Sequence, residues 1–284
     1  MKKRLFTLAM VSAVAAFGLA GCGSSSADKT ADKITDTSTE DGVKKVEIAL
    51  VAGNAPYTYL DEDSKPAGYD YEVLKLIDDY LEDFEFNYTV IDYDSGLIGT
   101  KEGKYDLNAG AYFRTDAREK TYLISDPYNY FFLNLVVPEG SQVKSLKDMN
   151  GLTLAPIVAT DGRYAALSDW EKENPDIKIN MEDIAEAGTL ADEVAGVHDG
   201  TYDAAYMAKE QAQAIFDEVG YTLDVTDIVG GRDTTFLMNQ DDSKLQEGVN
   251  EAIEALTKDN TIPKLTETWF GQDNFAKASE LGLR

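Results

Sequence analysis

Residues 115–128 read TDAREKTYLISDPY, and the prediction of the fold depends most on this stretch. Arg118 follows Arg114 by four residues, although the chain has 52 acidic and only 26 basic residues. The stretch then leads into YFFLNLVVP at residues 130–138, which has the aromatic and β-branched composition of a strand. Two arginines placed together in so acidic a chain indicate a specific local use of positive charge.

On both sides of this stretch, strand-like apolar runs alternate with helical patterns. Further strands are predicted at residues 46–53, 86–93, 105–113, 152–157, 202–207 and 234–239. This alternation predicts an α/β fold with a mainly parallel sheet.

Several residues are predicted to begin or end helices. Asp70 is predicted to cap a helix, Ser243 and Gln246 to form a capping box, and Gly220 to stop a helix. Pro263 suits the first turn of what we expect to be the last helix.

The first 21 residues have the pattern of a secretory signal peptide. Three basic residues at positions 2–4 precede an apolar run at residues 5–19, which is too short for a stable membrane span. Residues 19–22 read LAGC and resemble the bacterial lipobox, in which the cysteine is lipidated and becomes the mature N-terminus. Cys22 is the only cysteine. Ordinary secretion with a free thiol is the alternative, but a lone thiol is unfavourable in an oxidising compartment.

Residues 22–43 are polar and small, which predicts a flexible tether. The net charge of −26 argues against nucleic acid or anionic lipid as a partner, since both require basic patches. Such a charge favours solubility outside the cell. We expect no cofactor and no metal: the single histidine, His198, has no cluster of ligands around it in the sequence.

Four ordered blocks resemble family 3 of the bacterial extracellular solute-binding proteins, the receptors of ABC importers for polar amino acids. APYTYLDEDSKPAGYDYEVLKLI at residues 55–77 resembles the family's PPF-x-Y … G-F-D-V-D-L block. TDAREKTYLISDPY resembles its T-P-E-R-x5-F-S-x-P-Y block, with Ile124 in place of the usual Phe. SLKDMNGLTLAP at residues 145–156 and TWFG at residues 268–271 resemble the opening of the second domain and the terminal K-W-F-G.

The resemblance implies a two-lobed fold of the type II periplasmic-binding-protein class, with a ligand cleft and a two-stranded hinge. Residues 44–135 and 234–284 would form lobe 1, and residues 136–233 would form lobe 2. It also implies an extracytoplasmic monomer that binds a small molecule and docks on an ABC permease, with a lipid such as palmitate as its membrane anchor.

The resemblance also implies the ligand-binding residues. Arg118, the arginine of T-P-E-R, would pair with a ligand carboxylate, and Thr115 is the threonine of the same block. Thr160 and Asp161 occupy the place of a lobe 2 Ser/Thr-Gly turn at a helix N-terminus. Tyr57 and Tyr93 would supply aromatic walls, as Tyr59 also could. A surface ion pair of Arg118 with Asp116 or Glu119 is the alternative role, and Arg114 is expected to have a structural or surface role.

Two departures from the family leave the ligand open. Ala208 stands where relatives carry the acid that binds an α-ammonium group, and Phe113 replaces a hydroxyl residue. Either Asp161 or Asp94 takes over this task, or the ligand is not an ordinary α-amino acid. Asp161 could instead only cap its helix. An enzyme on the same scaffold, resembling cyclohexadienyl dehydratase, and an adhesive surface protein without a ligand are the alternative functions.

Overall fold

The computed structural model describes residues 42–186 and 188–283. The predicted signal peptide, Cys22 and most of the predicted tether lie outside these residues. Within them, no helix combines the length and apolar character needed to cross a membrane. The strands in this part of the chain are β1 (Lys44–Val51), β2 (Tyr59–Leu60), β3 (Pro66–Ala67), β4 (Phe84–Ile91), β5 (Leu107–Phe113), β6 (Leu123–Ile124), β7 (Asn129–Pro138), β8 (Thr153–Leu154), β9 (Asn180–Met181), β10 (Ala205–Met207), β11 (Leu223–Val225) and β12 (Gly230–Met238). The helices are α1 (Tyr69–Tyr80), α2 (Tyr93–Lys101), α3 (Asp116–Glu119), α4 (Gly162–Glu173), α5 (Leu190–His198), α6 (Lys209–Val219), α7 (Ser243–Lys258), α8 (Thr261–Phe270) and α9 (Asn274–Glu280).

The central sheet is mixed, and the prediction of a mainly parallel sheet was wrong. Its strand order is β10-β7-β12-β5-β1-β4, with β11 also paired to β7 and β6 to β12. β1 runs parallel to β4 and β5, whereas β12 is antiparallel to β5, β6 and β7. Antiparallel pairs need no helical crossover, so the alternation of strands and helices along the sequence did not reveal them.

Two long strands cross between the two parts of the molecule. Residues 230–234 of β12 pair with residues 129–133 of β7. Beyond this pairing β12 continues along β5, and β7 continues along β10 and β11. We name the part around β1, β4 and β5 lobe 1, with α1–α3 and α7–α9, and the part around β8–β11 lobe 2, with α4–α6. The predicted lobe boundaries near residues 135 and 233 lie within these crossing strands.

The predicted cap of α1 was wrong, because Asp70 lies inside the first turn and Gly68 precedes the helix. A Cβ atom at Gly68 would collide with the carbonyl oxygen of Tyr57, so only glycine fits this approach. Asp70 is fully buried, and its Oδ2 accepts a 2.8 Å hydrogen bond from the backbone N–H of Ala111 in β5. This carboxylate therefore ties α1 to the neighbouring strand instead of capping its own helix.

Two further predictions near the C-terminus were wrong. Asp242, and not Ser243, caps α7 by accepting from Leu245 N–H. Gln246 instead donates from its amide to the carbonyl oxygen of Ile124, which ties α7 to β6. Pro263 does lie in the first turn of α8, but α9 follows it, so α8 is not the last helix. The predicted stop at the end of α6 is confirmed, since the residue after Val219 is a left-handed glycine with φ 74°.

The buried carboxyl of Asp70 makes stability depend on pH. Burial raises its pKa to about 7, and the hydrogen bond from Ala111 offsets only part of this rise. The folded protein therefore binds this proton more tightly than the unfolded chain, and this group lowers the free energy of unfolding as pH rises from about 4 to about 7. Asp70→Asn keeps an acceptor for the Ala111 N–H but does not titrate. We expect it to remove about 4 kcal/mol of this dependence, at ~1.4 kcal/mol per pKa unit.

Urea unfolding at several pH values between 4 and 8.5 measures this difference. Asp79→Asn is the matched control, because Asp79 is an exposed acid on the same helix. If the free energy of unfolding differed between wild type and Asp70→Asn by the same amount at every pH in this range, Asp70 would not be the source of the pH dependence.

Candidate functional site: a cavity between the lobes

A cavity of about 400 Å³ lies between lobe 1 and lobe 2. Its lobe 1 wall comes from the end of β1, the start of α2, the last residues of β5 and Arg118. Its lobe 2 wall comes from the turns that precede α4 and α5 and from the first turn of α6. Ligand sites for small molecules commonly have volumes of about 300–1,000 Å³, so this cavity has the size of a small-molecule site.

A bulge in β5 shapes the lobe 1 wall. The β12 pairing shifts register between Thr235 and Leu237, whose partners on β5 are Tyr112 and Asn108. Ala111 within the bulge has a positive φ of 53°, which is uncommon for a residue with a side chain. The N–H bond to Asp70 described above stabilises this conformation. As a result residues 110–113 face the cavity.

Arg118 lies at the wall of this cavity with 7% of its surface exposed. The short helix α3 holds its backbone, because the Thr115 side chain caps α3 and accepts from the Arg118 N–H. Its guanidinium donates from Nη1 to the carbonyl oxygen of Phe113 at 2.7 Å. From Nη2 it donates to the Tyr93 hydroxyl at 2.8 Å and to the Thr160 carbonyl oxygen at 3.0 Å.

All of the hydrogen-bond acceptors of Arg118 within the described chain are neutral. Its guanidinium lies over the ring of Tyr112 at 4.9 Å, and it forms no ion pair with a carboxylate of these residues. The alternative pairing with Asp116 or Glu119 was therefore wrong. A guanidinium has five N–H donors, and three of them have these acceptors. A buried cation without an acidic partner favours an anion beside it.

Arg114 has the structural role that we expected. It pairs with Glu119 at 3.0 Å and donates to the carbonyl oxygen of Ser125. Its Nε lies 3.8 Å from Asp233 on β12. Arg114 thus ties α3 to the segments that lead into the crossing strands, and it does not line the cavity.

A second charged group, the Asp161–Arg163–Glu193 cluster, lines the lobe 2 side of the cavity. Asp161 caps α4 by accepting from Arg163 N–H at 2.8 Å, and its Oδ2 accepts from Arg163 Nε at 2.9 Å. Glu193 accepts from both terminal nitrogens of Arg163 at 2.9 Å each. One guanidinium thus serves two carboxylates, which leaves the cluster with one net negative charge.

The hydrogen bonds and charge of Arg163 hold Asp161 in its ionised form. Burial alone would raise the pKa of Asp161, but Arg163 outweighs it and keeps this pKa below its usual range. Arg118 adds to the same effect across the cavity. Arg163 also donates to the carbonyl oxygen of Tyr206 and contacts Asp161 through Nη2 at 2.8 Å. All five of its N–H donors therefore have acceptors within the protein, whereas Arg118 has acceptors for three of its five.

Tyr93 and Thr160 meet across the cavity. The Tyr93 hydroxyl donates to the carbonyl oxygen of Thr160 at 2.9 Å, and burial raises the pKa of this phenol to about 12. Tyr93 is therefore a neutral donor at ordinary pH. Thr160 contributes this backbone carbonyl, while the residue itself is exposed and is not part of the cavity lining.

Three residues predicted to contact ligand lie elsewhere. Tyr57 is 2% exposed and packs behind the wall, with its ring 4.9 Å from that of Phe131 and 5.2 Å from that of Phe270. Thr115 is occupied as the cap of α3 and does not line the cavity, and Tyr59 belongs to β2. The resemblance implied a ligand contact for Tyr57, whereas its aromatic side chain packs in the core.

Sequence reasoning missed several polar residues of the lining, among them Asn54, Arg163, Glu193 and Gln211. Gln211 was the most detectable, since it stands three residues after Ala208, at the capping-box position of α6. Its Oε1 accepts from the Ala208 N–H at 3.1 Å, and its Nε2 donates to Asn54 Oδ1 at 2.6 Å.

The described residues contain no group of three or more histidine, cysteine or acidic side chains suited to a metal ion. His198 stacks on Tyr221, with ring centroids 4.0 Å apart, and bonds to the neighbouring Asp199 at 2.9 Å. It therefore has a surface role at the end of α5.

The two lobes, the crossing strand pair and the cavity between the lobes define a type II periplasmic-binding-protein fold. The chain belongs to the bacterial extracellular solute-binding proteins, family 3, whose family model matches residues 46–272. This agrees with the resemblance found in the sequence.

The sequence matches to named relatives cover nearly the whole chain. The probable amino-acid-binding protein YxeM of Bacillus subtilis is 28% identical, and the match covers 96% of this chain and 97% of YxeM. The L-cystine-binding protein TcyA of Bacillus subtilis is 26% identical, over 96% of this chain and 99% of TcyA. A solved structure on glutathione import through GshT and the cystine ABC importer TcyBC of Streptococcus mutans matches with a TM-score of 0.71. That match has 28% identity and covers 82% of this chain and 97% of the other.

Proposed function

We propose that this protein captures a small carboxylate ligand, an amino acid or a derivative of one, and delivers it to an ABC importer. The observation that carries the proposal is the buried guanidinium of Arg118, whose acceptors are all neutral. A carboxylate accepts the paired donors of a guanidinium, and a closed cavity removes competing water. Arg163 cannot bind a ligand carboxylate in the same way, because two carboxylates and a carbonyl already use its donors.

The relatives support an amino acid as the class of ligand. Their names describe an amino-acid-binding protein and an L-cystine-binding protein. They are binding proteins, which favours binding over the alternative of an enzyme on this scaffold. A second group on the ligand would face the Asp161–Arg163–Glu193 cluster, whose net negative charge suits a cation. We therefore infer that Asp161 takes over the charge that Ala208 lacks.

The proposed location and partners follow from the family and from the predicted N-terminus. The family is extracellular, which places the binding step outside the cytoplasm. We propose that Cys22 carries the lipid anchor, that the protein is a monomer and that an ABC permease is its partner in the membrane. We also propose that residues 44–135 and 234–284 move as lobe 1 and residues 136–233 as lobe 2.

Arg118→Ala should weaken binding by about 2–5 kcal/mol, as expected when one partner of a buried charge pair is truncated. Arg118→Lys keeps the charge but loses the planar fork, so it should also bind more weakly than wild type. A thermal-shift screen against amino acids, amines, dicarboxylates and short peptides selects the ligand, and calorimetry then gives the affinities.

Arg114→Ala and Arg114→Lys are the matched controls, because Arg114 is a nearby arginine outside the cavity. They should leave affinity near that of wild type. Wild-type affinity in Arg118→Ala would refute the carboxylate clamp.

Asp161→Asn tests the cationic group. Asparagine caps a helix about as well as aspartate, so α4 should be retained while the cluster becomes neutral. An amino acid that binds the wild type should bind this variant at least about tenfold more weakly. Its deaminated analogue should bind both proteins with similar affinity. Titration of both compounds into both proteins measures this. Unchanged binding would leave Asp161 as a cap alone, and tighter binding would indicate a purely anionic ligand.

Cys22→Ser should release the protein from the membrane, since the acidic chain offers no second electrostatic attachment to anionic lipid. Fractionation of cells that express each form, followed by immunoblotting, measures the distribution. Retention of the serine form in the membrane fraction after a high-salt wash would contradict lipid anchoring at this cysteine.

A further inference from the structure

A chain of side-chain hydrogen bonds joins the two lobes at the cavity wall. Gln211 of α6 donates to Asn54 Oδ1 at 2.6 Å, and Asn54 lies just after β1. Asn54 in turn donates from Nδ2 to the carbonyl oxygen of Gly110 in the β5 bulge at 3.2 Å. The chain of bonds therefore runs from the first turn of a lobe 2 helix into the lobe 1 wall.

The start of α6 explains why Gln211 can make this contact. Ala208 is the N-cap of α6, and its methyl group offers no acceptor. Gln211 reaches back instead and accepts from the Ala208 N–H at 3.1 Å. This bond fixes the amide, so its donor end points at Asn54. Gln211 is only 5% exposed, which keeps water from competing for the bond.

We propose that Gln211 is a closure residue, whose bond to Asn54 holds the two lobes together around the cavity. Both partners are protein atoms, so the closed arrangement gains this stabilisation without any ligand. Tyr93 and Arg118 make two more such bonds, both to the carbonyl oxygen of Thr160. We therefore expect the closed form to be populated in the free protein, with Gln211 setting part of that population. This inference does not depend on which ligand Arg118 binds.

The variants separate a closing role from a local one. Gln211→Met keeps the length of the side chain and removes both bonds. Gln213→Met is the matched control, because Gln213 lies on the same helix, is exposed and, among the described residues, its side chain bonds only to Asp217 of α6. Asn54→Leu breaks the bond to Gln211, whereas Asn54→Asp retains an acceptor for it. Both substitutions at Asn54 remove the bond to Gly110. If Asn54 acted only through that bond within the lobe 1 wall, both variants would open the protein to the same extent.

Distances between two spin labels, measured by pulsed electron paramagnetic resonance without added ligand, report the closed fraction. The labels are attached through Ile98→Cys on α2 and Val219→Cys on α6, both exposed sites, in the full chain carrying Cys22→Ser. We expect a short and a long distance in the parent protein. Gln211→Met and Asn54→Leu should lower the ratio of closed to open about fivefold, the effect of one hydrogen bond of about 1 kcal/mol.

Gln213→Met and Asn54→Asp should keep the ratio of the parent protein. The proposal is overturned if the parent protein shows only the long distance, if Gln211→Met and Asn54→Leu leave the ratio unchanged, or if Asn54→Asp opens the protein as much as Asn54→Leu. If Gln211→Met does not fold, the two variants at Asn54 decide the question. Loss of carboxylate binding in Arg118→Ala would not alter any of these outcomes.

Discussion

The antiparallel pairing of β7 with β12 is the constraint on which the rest of the structure depends. Five consecutive residue pairs join the two strands, from Gly230 with Leu133 to Thr234 with Asn129. Each strand then continues into a different lobe. Because the sheet passes between the lobes along this pair, the lobes meet at the cavity through side chains and turns, as where Tyr93 and Arg118 contact the turn before α4. A cavity can therefore exist between them while each lobe keeps its own packing.

The charges of the cavity differ from those of the chain as a whole. The chain carries a net charge of −26, yet Arg118 is buried without an acidic partner among the described residues. Two arginines lie at the cavity, and they differ in whether their guanidinium groups are paired with carboxylates. Arg163 is enclosed by Asp161 and Glu193 and serves as a fixed structural cation. Arg118 has two N–H donors without an acceptor among the described residues, which suits it to the anionic ligand that we propose.

The sequence was sufficient for the fold because four motif blocks in the right order specify a family more strongly than local patterns do. Arg118, Tyr93 and Asp161, which the same resemblance named, line the cavity. Tyr57 does not line the cavity. The local sequence around an aromatic residue in a loop does not indicate whether its side chain turns inward. Glu193 and Gln211 were missed since their roles depend on distant partners, Arg163 and Asn54, that only the folded chain brings together. The mixed sheet was missed because strand direction is not encoded in local periodicity.

The two charge centres of the cavity stand on different lobes, Arg118 on lobe 1 and the net negative Asp161–Arg163–Glu193 cluster on lobe 2. If the lobes close as proposed, opposite charges come together, so part of the work of closing is electrostatic. Salt screens exposed charges over about 8–10 Å at ordinary ionic strength, and it screens buried pairs much less. Ionic strength would therefore act on this attraction mainly while the lobes are apart and the two charge centres are more exposed. Once the lobes are together, the attraction between these buried groups would depend little on the salt around the protein.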